Sequence, residues 1–220
     1  IDFSPQTMFY PEKCIGCGRC NEGCYSGARV ICGKKMTVDE IFSIIELDKD
    51  YYGNEGGVTF SGGEPLAQAR VLGDLIEKCK SAGIKTCIET SLCTFNREIL
   101  SNLDYIIADF KIFDDEKHKK YVGISNSIIK ENLIKLDTLN IPFEVHTPVI
   151  PGINDTPDEI KNIKNFIRQF KNLKMYKLLP YHTLGIPKQK ALGMKEIRFE
   201  IPSNDKMEVL SAYADLSRQD

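Results

Sequence analysis

Five of the eight cysteines in this 220-residue chain fall between Cys14 and Cys32, and four of them, Cys14, Cys17, Cys20 and Cys24, spell C-x2-C-x2-C-x3-C. Two-residue spacings let three thiolates wrap three corners of an iron–sulfur cube, and the intervening glycines let backbone N–H groups turn toward the sulfurs. Zinc normally takes two C-x2-C pairs separated by a longer loop, which this run does not offer. A 4Fe-4S cluster is therefore the expected occupant. In two-cluster proteins the last cysteine of such a run serves the other cluster. Here there is no second run, and Tyr25 replaces the usual proline. The fourth ligand is Cys24 or Cys32, with Cys24 favoured. Cys79 on a helical stripe and Cys87 in a strand read as core residues, while Cys93 follows a strand and is left open.

A second set of polar residues stands just after apolar runs. Gly62, Gly63 and Glu64 follow Val58-Thr-Phe60 and precede a helix, a place where main-chain groups can approach a small ligand closely. Taken alone, the same residues also describe a tight turn with Glu64 capping the helix. Glu89 and Thr90 end the next run, Asp109 and Lys111 the one after, and His182 follows Leu179-Pro-Tyr181. Asp109 and Lys111, two apart, face the same way and form either a salt bridge or a pair of ligand contacts. His146 sits within the preceding strand.

The elements that must position these groups alternate. Thr37 and Glu40 form a capping box ahead of Val38, Ile41, Phe42 and Ile45, so the spacing predicts a helix over 37–48. A helix stripe of Ala69, Leu72, Leu75, Ile76 and Cys79 stops at Gly83. Strands are expected at 85–89, 105–110, 143–150 and 175–179, with helices over 95–102, 125–139, 157–170 and 203–217. Thr156 and Glu159 give the 157–170 helix a second capping box. Five strand–helix units in alternation argue for a parallel sheet covered on both faces, in which chemistry gathers at the carboxyl ends of the strands. Composition agrees with such a core. With 42% apolar residues and 29 Lys plus Arg against 31 Asp plus Glu, the chain is neither disordered nor strongly attracted to nucleic acid or membrane surfaces. Clustered cysteines alongside a sizeable core point to reduced thiols and a cytoplasmic location.

These residues, in this order, resemble the activating enzymes of glycyl radical enzymes, the pyruvate formate-lyase activase group of the radical S-adenosylmethionine (SAM) superfamily. The match is carried by Met36-Thr-Val-Asp-Glu40, Gly56-Gly-Val-Thr-Phe-Ser-Gly-Gly-Glu-Pro65, Glu89-Thr90, Asp109-Phe-Lys111, Tyr121-Val-Gly-Ile-Ser-Asn126, Pro148-Val-Ile-Pro-Gly-Ile-Asn154 and Leu178-Leu-Pro-Tyr-His182. The resemblance implies an α/β fold, a partial (β/α)6 radical SAM barrel of the TIM-like kind over residues 36–220, lacking its first strand, with a ferredoxin-like iron–sulfur insert over 1–35. It implies that Gly62, Gly63 and Glu64 hold the amino group of SAM, that Glu89, Thr90, Asp109, Phe110, Lys111 and His182 lie against the cofactor, and that Asp109 and Lys111 are the catalytic pair. The implied reaction is reductive cleavage of SAM to a 5′-deoxyadenosyl radical that takes a hydrogen from a glycine of a partner enzyme. The implied cofactors are SAM and a second 4Fe-4S cluster, with the Cys14–Cys24 cluster auxiliary. Implied partners are a glycyl radical enzyme and a flavodoxin- or ferredoxin-type reductant.

The sequence departs from that pattern in three places. The family's C-x3-C-x2-C triad, which holds the SAM-cleaving cluster, is not among the 220 residues and belongs just upstream of the insert. The chain accordingly reads as N-terminally truncated and inactive alone. The insert has one cysteine run where relatives often have two, and His146 stands where relatives commonly have Arg. Two other functions stay open on the sequence: a non-catalytic iron–sulfur electron-transfer or binding module, and a radical SAM enzyme acting on a small molecule.

Overall fold

The computed structural model describes residues 10–31 and 33–217, so Cys32 lies outside the described residues. The chain divides into two compact units, Ile1–Met36 with His182–Arg198, and Thr37–Tyr181 with Phe199–Asp220.

In the larger unit α1 (Val38–Leu47) begins with the expected capping box. Thr37 Oγ1 accepts from the Glu40 N–H, and the Glu40 carboxylate accepts from the Thr37 N–H at 2.7 Å. Then follow β1 (Gly57–Phe60), α2 (Ala69–Ser81), β2 (Lys85–Thr90), α3 (Arg97–Leu100) and β3 (Tyr105–Asp109). After them come α4 (Asp115–Val122), α5 (Ser127–Asp137), β4 (Phe143–Val149), α6 (Pro157–Ile167), β5 (Leu173–Pro180) and α7 (Asn204–Ala214). The five strands form one sheet in the order β1-β2-β3-β4-β5, parallel at every pairing. A sheet whose sequential strands are all neighbours and all parallel needs a crossover of the same hand each time. That is the topology of a partial TIM-like barrel.

The pleat sorts the strand residues into two sets. Ile88, Ile106, Ala108 and Val145 are fully buried and join Leu72 and Ile76 of α2, Leu133 and Leu136 of α5, Ile160 and Ile163 of α6 and Leu210 of α7 in one core. Their neighbours along each strand point the other way, and the register lines up Cys87 with Tyr105, Glu89 with Ile107 and Glu144, and Asp109 with His146 and Lys177. One face of the sheet is therefore oil and the other carries the charges. Only glycine fits at position 57, where a Cβ would stand 2.1 Å from the Lys85 carbonyl oxygen across the β1–β2 ladder.

Three local expectations change. The helix expected over 95–102 is a single turn, α3, with Asn96 Oδ1 accepting from the Ile99 N–H. The second capping box is half present: Thr156 Oγ1 accepts from the Glu159 N–H at 3.3 Å, but the buried Glu159 carboxylate turns away to accept from the Phe113 N–H. Helix α4 was not anticipated, because Asp115-Glu-Lys-His-Lys-Lys-Tyr-Val122 buries only His118 and so carries no apolar period. Among the described residues no helix is long and apolar enough to cross a membrane.

Candidate active site

The turns after β1, β2 and β3 converge. Ser61, Gly62, Gly63, Glu89, Thr90, Ser91, Asp109 and Lys111 line one cavity of about 310 Å³. Six of the predicted strand-end residues, Gly62, Gly63, Glu89, Thr90, Asp109 and Lys111, thus meet from three separate turns, although Gly62 and Lys111 are 49 positions apart in the sequence.

The β1 turn is built around Glu64. Its Oε1 accepts from the Leu66 N–H at 3.2 Å and the Thr90 hydroxyl at 2.7 Å, and its Oε2 accepts from the Ser91 N–H at 3.0 Å and the Ser91 hydroxyl at 2.6 Å. One side chain thus caps the short 3-10 turn Pro65–Gln68 and staples it to the end of β2. Gly62 has φ 119°, a conformation glycine adopts readily, and open space lies where a side chain would stand at both Gly62 and Gly63. Main-chain groups of the turn are therefore reachable by a ligand in the cavity.

Across the cavity, Lys111 Nζ lies 3.3 Å from Asp109 Oδ2, both side chains partly exposed. Glu89 and Asp109 are both carboxylates, and the single lysine leaves the lining with an excess of negative charge. Such a lining suits a ligand that carries cationic groups together with one anionic group. Phe110 is fully buried instead, its ring 6.2 Å from Phe113 and 5.9 Å from Phe166 in the core, with its N–H donating to the His146 carbonyl and its carbonyl accepting from the buried Thr147 hydroxyl, so it does not line the cavity. Ser61 and Ser91 line the cavity without having been singled out in the sequence. Their signal was position alone: a small polar residue directly after a strand.

The rim is tied from one turn to the next. Asn132 of α5 donates to the Leu92 carbonyl at 2.8 Å. Asn126, 1% exposed, donates to the carbonyls of Ile112 at 3.0 Å and Phe113 at 2.6 Å. Asn154 donates to the carbonyls of Lys111 at 2.7 Å and Pro148 at 2.8 Å, and accepts from the Ile150 N–H. Asp115 accepts from the Ser125 hydroxyl and the Asn126 N–H and pairs with Lys119 at 2.8 Å. The Lys119 ammonium, with those two donors, holds the Asp115 carboxyl well below the usual carboxylate range.

The smaller unit carries the cysteine run and His182. Gly16 and Gly18 have φ 67° and 78°, and the Gly16 N–H donates to Cys14 Sγ at 3.4 Å. Cys14, Cys17, Cys20 and Cys24 are free thiols, and a hydrogen bond from the Ser26 hydroxyl pulls the Cys24 thiol below its ordinary value. The donor set, four thiols with glycine-turned amides, has the chemistry an iron–sulfur cluster takes. Among the described residues no three His, Cys, Asp or Glu side chains stand gathered as a metal site. His182 Nδ1 accepts from the Leu184 N–H at 3.3 Å, capping a 3-10 turn within that unit.

Comparison with known proteins gives this site a lineage. The family model of the radical SAM superfamily matches residues 13–167. The 4-hydroxyphenylacetate decarboxylase activating enzyme of Clostridioides difficile is 40% identical over 179 residues, 79% of this chain and 56% of that protein. The pyruvate formate-lyase-activating enzyme of Staphylococcus epidermidis is 35% identical over 190 residues, 82% of this chain and 76% of that one. The crystal structure of a domain of pyruvate-formate lyase-activating enzyme from Bacteroides vulgatus superposes with a TM-score of 0.60 at 25% identity, over 72% of this chain and 92% of that one. The chain spans a little over half the length of the Clostridioides relative. With its family model, its parallel sheet and its relatives in agreement, the chain belongs to the radical SAM superfamily, among the activating enzymes of glycyl radical enzymes.

Proposed function

We propose that this chain supplies the SAM-binding sheet of an enzyme that installs a glycyl radical in a partner protein. The observation that supports this reading most is the convergence of Gly62, Gly63, Glu89, Thr90, Asp109 and Lys111, from three turns, on one acidic cavity. The sulfonium and ammonium of SAM are cations and its carboxylate an anion, which is the charge distribution that lining accepts. In this reading the exposed main chain of Gly62 and Gly63 receives the amino group, with Glu64 holding the turn in place and adding its negative charge. Glu89 and Asp109 face the cationic centre, and Lys111 takes the carboxylate or a ribose hydroxyl. Phe110 supports the end of β3 from the core, and His182, which follows β5 in the chain, is a further cofactor residue in this proposal.

When bound, SAM and a 4Fe-4S cluster supply the radical chemistry; this chain's residues orient the cofactor and keep water from it. The C-x3-C-x2-C triad that would hold the cleaving cluster is not among the 220 residues, so the activity proposed is that of the protein carrying both. Cys14, Cys17, Cys20 and Cys24 hold an auxiliary cluster in the segment up to residue 35, which passes electrons from a flavodoxin- or ferredoxin-type reductant in the cytoplasm.

The test is isotopic. A glycyl radical protein encoded beside this one is prepared with dideuterated glycine and turned over with SAM and reductant. Deuterium is expected in 5′-deoxyadenosine, and one spin per activated site in the partner. Transfer from a small molecule instead, or none with any such protein, would overturn the proposal.

A further inference from the structure

Three histidines test the polar economy of the fold, and one breaks it. His118 is buried and satisfied, its Nδ1 2.7 Å from the Ile124 carbonyl. His146 is 7% exposed, yet neither ring nitrogen has a hydrogen-bond partner. The nearby Glu144 Oε2 lies 3.4 Å from Nε2, outside good hydrogen-bonding geometry, and the Glu144 side chain is itself only 16% exposed. Buried polar groups in folded proteins are almost always paired, and unpaired ones concentrate at sites that await a partner.

The register says where this partner would come from. Glu144 and His146 are two apart on β4 and share the charged face of the sheet. His146 stands directly beside Asp109 of β3, which lines the cavity, and beside Lys177 of β5. The cavity itself is lined only by residues at the ends of β1, β2 and β3. A cofactor seated there leaves the β4 pair unused, and the reaction proposed above needs a second reactant brought against the first.

We propose that His146, flanked by Glu144, is a binding residue for the polypeptide substrate, taking a main-chain amide of the segment that carries the target glycine. This rests on the function proposed above. A main-chain amide suits the site because it offers both an N–H and a carbonyl, so it can satisfy Nδ1 whichever tautomer the ring holds. The target glycine itself has no side chain to present, so contacts at that residue run through the backbone.

The experiment uses the full-length protein with ¹⁵N-labelled histidine and two probes, SAM alone and then the capped peptide acetyl-Gly-Gly-Gly-amide. The expected result is that SAM leaves the His146 ring nitrogens in place and the peptide, added with SAM, shifts them. In His146→Phe the peptide affinity is expected to fall about tenfold, the scale of one lost hydrogen bond. His146→Gln, which keeps a polar tip, is expected to recover part of it, with SAM affinity and circular dichroism unchanged in both. A ring shift caused by SAM alone would assign His146 to the cofactor and overturn the inference, as would peptide binding indifferent to both substitutions; either leaves the proposed function standing. Failure of the parent protein to bind SAM at all would overturn both.

Discussion

Glu64→Gln isolates what the β1 turn depends on. The carboxylate has about four lone-pair positions, and the Leu66 N–H, the Thr90 hydroxyl, the Ser91 N–H and the Ser91 hydroxyl fill them. Glutamine offers one oxygen and an NH2 group with no acceptor. Whichever way the amide turns, one backbone N–H, that of Leu66 or of Ser91, faces the NH2 and loses its acceptor, at about 1–3 kcal/mol. The two surviving bonds pass from charged to neutral acceptors, about 1 kcal/mol each. The hydroxyl facing the NH2 rotates and becomes an acceptor. A loss of about 3–5 kcal/mol results, which for a chain of this size lowers the melting temperature by about 6–20 °C. Urea unfolding and thermal scans of the SAM-free protein at neutral pH read it directly. Ser91→Ala keeps the N–H bond and drops only one hydroxyl, so it should fall roughly midway. If Glu64→Gln melts within about 2 °C of the parent, the carboxylate does not anchor the turn, and the account of Gly62 and Gly63 fails with it.

Two further outcomes are expected. The Asp115 carboxyl is held low by Lys119, Ser125 and Asn126, so its contribution to stability is fully present above the unfolded value, about pH 4, and is lost as pH falls through the folded value. Acid titration of unfolding should therefore show the gap between parent and Asp115→Asn widest near neutrality and shrinking below about pH 4; a constant gap would remove the carboxylate from the loop's support. Cys17→Ala, reconstituted anaerobically, should lose about four iron and four sulfide per chain while its circular dichroism is retained, and unchanged iron content would sink the auxiliary cluster.

What the sequence disclosed tracks how local each cause is. The Thr37–Glu40 box is a contact between residues three apart, and the structure repeats it atom for atom. Thr156 and Glu159 present the same spelling, yet Glu159 finds the Phe113 N–H, a donor that exists only once β3 and α6 are packed together. Helix α4 was invisible for the opposite reason: its stability comes from the Asp114 cap and the Asp115–Lys119 pair rather than from an apolar stripe. Alternation along the chain sufficed for the parallel sheet, and motif order sufficed to bring Gly62, Glu89, Asp109 and Lys111 to one rim. It could not tell that Glu64 would be saturated by its own chain, that Phe110 would turn into the core, or that His146 would be left unsatisfied. Each of those depends on which way a side chain faces across a strand pairing.

The asparagine ties along the rim bear on how the site meets a ligand. Asn132 and Asn154 each clamp a turn with a side chain from the strand–helix repeat that follows it, and Asn126 clamps the β3 turn from the start of α5. The arrangement of the turns is thereby settled when the chain folds and not at each encounter. Little of an incoming molecule's affinity is then consumed in ordering loops, and dipoles around the cavity need scarcely reorient as charge moves within it. For the reaction proposed above, whose intermediate would attack almost any nearby C–H bond, low reorganisation of the surroundings is also a form of protection: a frame that does not flex keeps its own side chains out of reach.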